Sequence, residues 1–275
     1  FASLTPDGKI LDKASTPTPE TLEDLLAWLD QRLSERDYRG IAMSVPGAVH
    51  QETGVIEGIS AIPYIHGFSW YEALSHHKLP VHLENDANCV GLSELLAHPE
   101  IENAACVVIG TGIGGAMIIN GKLHRGRHGL GGEFGYMTTI EPAEKLNNWS
   151  QLASTGNMVR YVIEKSGQSD WDGRKVYQEA AAGNALCQEA IERMNRNLAQ
   201  GLLNIQYLID PDVISLGGSI SQNPDFIKGV QKAVDAFVDR YEEYTIAPVI
   251  QACTYQADAN LYGALVNWLQ EENQW

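Results

Sequence analysis

The segment Gly-Thr-Gly-Ile-Gly-Gly at positions 110 to 115 constrains the fold more than any other stretch of the chain. Ala104 to Ile109 before it is apolar and reads as a buried strand, and Ala116 to Ile119 after it reads as another. Asn120-Gly121 then signals a type I′ turn into Lys122 to His124. A glycine-rich turn inside a hairpin is neither a P-loop, which carries a Lys and opens a helix, nor a dinucleotide fingerprint, which also opens a helix. Its glycines still let backbone N–H groups converge on a ligand, and Thr111 adds a hydroxyl. Taken alone, the segment reads equally as a phosphate-binding loop or as a plain hairpin turn.

Around this hairpin, strands and helices alternate, which predicts an α/β fold. Thr18 to Arg36 is amphipathic, with Leu22, Leu25, Leu26, Leu29 and Leu33 at helical spacing. Ile41 to Val45 is a strand ended by Pro46-Gly47, and Val81 to Leu83 is a strand running into Glu84-Asn85-Asp86. A helix is expected from Ala87 to Ala97, and a long one from Ala185 to Ile209, ended by Asp210-Pro211. The strand Val213 to Leu216 follows, then Gly217-Gly218, a helix from Pro224 to Tyr241, a strand from Pro248 to Thr254 and a helix from Asp258 to Glu271. The change of rhythm near residue 104 predicts two lobes, 1–103 small and 104–255 large. The last helix, 256–275, is expected to pack back on the small one.

Composition narrows the function. The formal net charge of -16 repels phosphate backbones and argues against a nucleic-acid partner. It leaves room for ATP, because local backbone donors outweigh the global field. Cys89, Cys106, Cys187 and Cys253 lie far apart with no CxxC pair, so no structural zinc is expected. No apolar stretch approaches the length of a membrane span and no signal peptide opens the chain. The expectation is a cytoplasmic protein with no membrane partner.

Three further segments carry chemistry. Asp86 ends a buried strand where α/β proteins bind ligands, but it also begins a helix, and in isolation it reads better as the N-cap than as a base. Glu133 sits between glycines that expose it, in His-Gly-Leu-Gly-Gly-Glu-Phe-Gly-Tyr-Met from His128 to Met137, either a ligand or a solvated charge. Gly217-Gly218 after a strand suits an adenine or ribose against bare backbone, or simply a tight turn.

The order of the four segments is more telling. Glu-Asn-Asp-Ala-Asn, then Gly-Thr-Gly-x-Gly-Gly, then Gly-Gly-Glu-Phe-Gly, then Asp-Pro-Asp-x-Ile-x-Leu-Gly-Gly resembles the ROK family (repressor, open reading frame, kinase) from about Ile41 to Gly263. The resemblance implies a two-lobed actin/hexokinase-like ATPase fold, ribonuclease H-like, with a sugar and ATP in the cleft. It implies Asp86 as the catalytic base. Asn85, Glu133, Gly47, His66 and Tyr136 fall on the sugar side. Gly110, Thr111, Gly112, Gly114, Gly115, Ser154, Thr155, Gly217 and Gly218 fall on the nucleotide side. Magnesium would accompany the ATP, and a homodimer is expected.

The departures from the family pattern bear on the sugar. The family histidine three residues after the Glu is Tyr136 here, and Lys-Leu-Asn-Asn-Trp-Ser-Gln-Leu-Ala-Ser-Thr lacks the family's cysteines, which implies a zinc-free member. A second sugar-contacting Glu is replaced at about Ser150, as in relatives that phosphorylate β-glucosides or disaccharides. The Ser60 to Trp70 loop, carrying His66, is aromatic and reads either as a sugar-stacking loop or as a packed one. The family's opening Asp-x-Gly-Gly-Thr is absent. Phe1 fits the second strand of the hairpin that follows that motif, so roughly one strand and its turn are expected before Phe1. A sugar-binding regulator with weak or no kinase activity is the alternative. A glycosidase is disfavoured because Glu84 and Asp86 lie side by side rather than flanking a bond.

Overall fold

The computed structural model describes residues 1–58, 60–140 and 146–275. The small half begins with an antiparallel hairpin, β1 (Ala2–Leu4) and β2 (Ile10–Lys13), followed by helix α1 (Leu22–Leu33). The helix starts at Leu22, later than the sequence suggests. Thr21 is extended and its hydroxyl accepts from Asp24 N–H, so the cap fixes the start after Pro17 and Pro19. Strand β3 (Ile41–Val45) follows, then the hairpin β4 (Ala48–His50) and β5 (Val55–Glu57), and a short helix α2 (Trp70–Ala73). Strand β6 (Val81–Asn85) pairs in parallel with β3, Val45 opposite Asn85, and runs directly into α3 (Asp86–Ala97). The leucines of α1 pack on a core of Ile41, Val45, Ile56, Trp70, Leu74 and Leu83. Full burial of side chains this size contributes about 1.5–3 kcal/mol each.

The large half is built on a five-stranded mixed sheet in the order β13-β12-β7-β8-β9: β7 (Ala104–Ile109), β8 (Ile113–Ile119), β9 (Lys122–Leu123), β12 (Val213–Gly217) and β13 (Ile250–Ala252). The turn Asn120-Gly121 has φ of 52° and 69°, the left-handed pair that a type I′ hairpin requires. Strand β8 starts at Ile113, not Ala116. Gly114 and Gly115 are therefore strand residues, opposite Val108 and Val107, and the true loop is Gly110 to Gly112. They look like loop because strands disfavour glycine, but a Cβ at Gly115 would strike Phe134 and the Cys106 carbonyl. After β9 come the hairpin β10 (Thr138–Ile140) and β11 (Leu146–Asn148) and the helices α4 (Trp149–Ala153), α5 (Thr155–Ser166), α6 (Gly173–Ala181), α7 (Ala185–Ile209) and α8 (Pro224–Val238).

One face of this sheet packs against α4 to α8 through Trp149, Met194, Leu198, Leu202 and Phe226. The other face packs against α3 and the last helix, α9 (Ala259–Glu271), through Leu92, Leu95 and Val266. Helix α9 touches α3, β3 and β6 of the small half, while its Val266 packs with Cys106, Ala116, Ile118 and Val213 of the large sheet, so it contacts both halves. The approach is close: a Cβ at Gly263 would overlap the carbonyl of Cys89, so only glycine fits that crossing. Among the described residues β1 pairs with β2 alone and β3 with β6 alone. Between β1 and β3 lies a cavity of about 670 Å³, floored by Leu261, Ala264 and Trp268 of α9 and reaching Asp86.

Candidate active site

Strand β6 and helix α3 meet without a linker, and that junction positions the acidic group. Asn85, not Asp86, is the N-cap: its Oδ1 accepts from Ala87 N–H at 2.9 Å and Asn88 N–H at 3.1 Å. This corrects the reading of an isolated Asp86 as the cap. Asn85 also donates from Nδ2 to the Gly47 carbonyl at 3.1 Å, tying the start of α3 to the loop after β3. Relieved of the cap, Asp86 is the first helical residue, and its carboxylate faces the cleft while accepting Ala87 N–H at 2.8 Å.

A buried carboxylate fixes this junction from beneath. Glu84, 2% exposed, accepts from Asn85 N–H at 2.9 Å and Asn88 Nδ2 at 2.8 Å on one oxygen. Its other oxygen accepts from Arg125 Nε at 2.6 Å. Arg125 follows β9 in the large half and also donates to Asn267 Oδ1 at 2.7 Å and Glu271 Oε1 at 3.0 Å on α9. One guanidinium thus links both halves and the last helix. Nothing in the sequence marks Arg125; only its partners reveal it.

Asp86 opens on a cavity of about 540 Å³, a size that suits a small-molecule site. Glu133, Tyr136, Ser150, Asn260 and the Gly110 to Gly112 loop line it with Asp86. Surrounding protein atoms raise the Asp86 carboxyl above its ordinary value, partly offset by hydrogen bonds from backbone N–H groups and Asn85. Glu133 is likewise raised, first by burial and then by the negative charge of Asp86. The two carboxyls therefore face the same space, and the chain places them there from opposite halves.

The glycine side is built from backbone. Gly110, Thr111 and Gly112 are exposed at the cavity wall, and nothing lies within 4 Å of where a Gly110 Cβ would stand. Helix α5 abuts this loop, with Gly156 N–H donating to the Gly110 carbonyl at 3.1 Å. Ser154 is fully buried and caps α5 by accepting Asn157 N–H at 3.1 Å. The Thr155 hydroxyl is buried without a hydrogen-bond partner. Gly217 ends β12 opposite Val108, and Gly218 has φ 90° with its α-carbon against the Ile109 carbonyl, which a Cβ would overlap.

The structure does not bring every expected residue to the cavity wall. His66 Nε2 is bonded to Ser60 Oγ at 2.8 Å and Nδ1 to the Ile56 carbonyl at 3.3 Å, which holds it in the small-half loop beside Gly47. Asn85, Gly47, His66, Gly115, Ser154, Thr155, Gly217 and Gly218 are not among the residues that line the cavity. Tyr136 stands at the rim with 72% exposure. Ser150 exchanges hydrogen bonds with both backbone groups of Ile113, at 2.8 and 3.2 Å, so it pins the start of β8. Asn260, at the start of α9, lines both cavities and carries no sequence signal.

The model of the ROK family matches residues 2–271. This chain belongs to the ROK family. The β-glucoside kinase of Listeria monocytogenes is 34% identical over 283 residues, covering 98% of this ROK chain and 94% of that protein. The crystal structure of a ROK family protein from Streptococcus pneumoniae TIGR4 in complex with sucrose is 89% identical, with a TM-score of 0.98 over 100% of this chain and 95% of that one. The ROK hexokinase of Thermus thermophilus is 26% identical, with a TM-score of 0.84 over 97% and 93%. The fold is that of the actin/hexokinase-like ATPases, and this ROK protein is a sugar phosphotransferase; the kinase-named relatives favour that over a sensing regulator.

Proposed function

We propose that this ROK protein transfers the γ-phosphoryl group of ATP to a primary hydroxyl, the 6-hydroxyl, of a β-glucoside or disaccharide. The observation that carries this is the placement of two raised carboxyls, Asp86 and Glu133, across a 540 Å³ cavity from the exposed Gly110 to Gly112 backbone. Asp86 accepts the proton of the attacking hydroxyl, and Glu133 orients the sugar by hydrogen bonds. Asn85 and Gly47 hold the Asp86 junction and border the sugar. Tyr136 at the rim offers a face to a second sugar unit, and His66 braces the loop behind Gly47.

The bare backbone of Gly110 to Gly112 fits a triphosphate, with Ser154 and Thr155 at the start of the helix that abuts this loop, and Gly217 and Gly218 fit the adenosine side. Magnesium, carried by the triphosphate, supplies neutralisation of the charge that develops on transfer. Closure of a 1–103 lobe on a 104–255 lobe, with α9 between, would exclude water from the transfer. A disaccharide acceptor is favoured by the names of the relatives and by Ser150 standing where a sugar-binding Glu is expected. No helix among the described residues is long and apolar enough to cross a membrane, and we place the enzyme in the cytoplasm. A homodimer is in keeping with the exposed apolar side chains Tyr207, Leu208, Tyr241 and Val249; size-exclusion with light scattering reads it.

The test is ADP release across glucose, mannose, fructose, N-acetyl sugars, cellobiose and sucrose, with wild type and Asp86→Asn. The expected result is turnover on a disaccharide or β-glucoside. Asp86→Asn should bind sugar nearly unchanged and lose turnover by orders of magnitude. Asp86→Asn turnover close to wild type refutes the base assignment. Turnover confined to free monosaccharides refutes the acceptor.

A further inference from the structure

Helix α1 and the turn after α2 bring three metal-ligating side chains together on the outside of the small half, away from the cleft. Asp30 lies on α1, beside Leu29 and Leu33, which face the core. His76 and His77 lie in the single helical turn Ser75–His77. That turn is anchored from both ends. Trp70 and Leu74 before it are buried at 1% and 0% exposure, and Lys78 closes it with φ 56° and an N–H bond to the Ser75 carbonyl. His76 Nε2 stands 3.1 Å and His77 Nε2 2.8 Å from the same oxygen, Oδ1 of Asp30.

We propose that Asp30, His76 and His77 bind one divalent d-block cation of the zinc, nickel or copper class, with water completing the coordination. A tetrahedral site with ligands about 2.0–2.1 Å from the ion has ligand–ligand edges of about 3.3 Å. Two edges stand within about half an ångström of that, and all three ligand atoms lie within 4.8 Å of one another. The rearrangement needed is a small outward shift of two rings, not a rebuilding of the loop. Two imidazoles and one carboxylate form a nitrogen-rich set, which selects zinc, copper and nickel over magnesium and calcium. His76 and Asp30 are open to solvent, with side-chain exposures of 55% and 44%, so an ion has an entry path and positions for water. The net charge of -16 favours cations over the surface as a whole.

The site is separate from the Tyr136 to Ser150 stretch, whose sequence implies a zinc-free member. It joins α1 to the α2 turn, so occupancy would clamp two elements of the small-half core. Among the described residues it is the one group of three such side chains that meets this geometry.

The experiment uses tag-free protein stripped with a chelator and titrated calorimetrically with zinc chloride in a non-coordinating buffer, with cobalt(II) as a spectroscopic probe. One ion per chain is expected, with tetrahedral cobalt absorption and a rise in the thermal midpoint of about 5 °C at a hundredfold excess over the dissociation constant. His77→Ala and Asp30→Asn should each weaken binding at least tenfold, because losing a ligand costs no less than losing one of its supports. His76→Gln, at the more exposed ligand, repeats the reading without disturbing the turn. Metal-free midpoints of all three variants control for folding. Absence of stoichiometric binding, or binding unchanged in His76→Gln and Asp30→Asn, overturns the site.

Discussion

Replacing Arg125 with Met isolates the Glu84 carboxylate. Glu84 is 2% exposed and has three donors, and Arg125 is the only one on Oε2 among the described residues. Its loss leaves a charged oxygen buried with no partner, which typically costs about 3–5 kcal/mol. The Arg125 side chain is 28% exposed, so water can relieve part of the loss, and the lower end, about 3 kcal/mol, applies. At about 2–4 °C per kcal/mol for a chain of this size, the thermal midpoint at pH 7.5 should fall by about 6–12 °C. Glu84 also holds the peptide N–H just before Asp86, so turnover should drop about tenfold to a hundredfold if Asp86 is the base we propose and is misplaced. Adding Glu84→Gln removes the buried charge and should restore at least half of the lost stability. Thermal melts and ADP release on the single and double variants read both effects. A single-variant loss below about 1 kcal/mol, or a double variant no more stable than the single, would refute the claim that a buried unpaired charge dominates.

Other outcomes follow from the same geometry. Asp86 has a raised folded pKa, so the folded state binds more protons and its ionised form is a stability cost. That cost appears as pH rises from the ordinary carboxylate value through the raised one; Asp86→Asn should therefore raise the thermal midpoint at pH 7.5 and change it little at pH 3.5. For the same reason, turnover of the wild type should fall on the acid side at a pH above the ordinary carboxylate range, and a pH profile of kcat checks it. Asn85→Ala removes the α3 cap and the Gly47 link and should cost about 1–2 kcal/mol by denaturant titration, whereas Asn85→Asp should keep the cap. Gly218→Ala forces a Cβ against the Ile109 carbonyl at a positive φ and should raise the KM for ATP several-fold more than that for sugar.

The Asp86 site was legible from order rather than from any single residue. Glu-Asn-Asp-Ala-Asn, the glycine turn, Gly-Glu-Phe-Gly and Leu-Gly-Gly identify the family because together they require one arrangement of strand ends around a ligand. The α/β class, the hairpin at Asn120-Gly121, the strand Ile41–Val45 and the long helix Ala185–Ile209 followed from periodicity and turn chemistry, which are local. What depended on contacts far apart in the sequence was invisible. Gly114 and Gly115 read as loop because a strand tolerates them only where a distant residue packs close, Ala87 against Gly114 and Phe134 against Gly115. The cap fell to Asn85 because Glu84 beneath it is held by Arg125, 41 residues away.

The sequence by itself therefore determined the family, the glycine turn and the acidic group at a strand end. Only the tertiary structure decided which atoms those groups meet. It freed Asp86 from the cap, turned His66 toward Ser60 and the Ile56 carbonyl and Ser150 toward the Ile113 backbone, and drew Asp30, His76 and His77 onto one point. The physical reason is that a side chain's chemistry is set by its neighbours in space. For Asp86 those neighbours are Glu133 and the bare backbone of Gly110 to Gly112, which the chain brings to one cleft from its two halves.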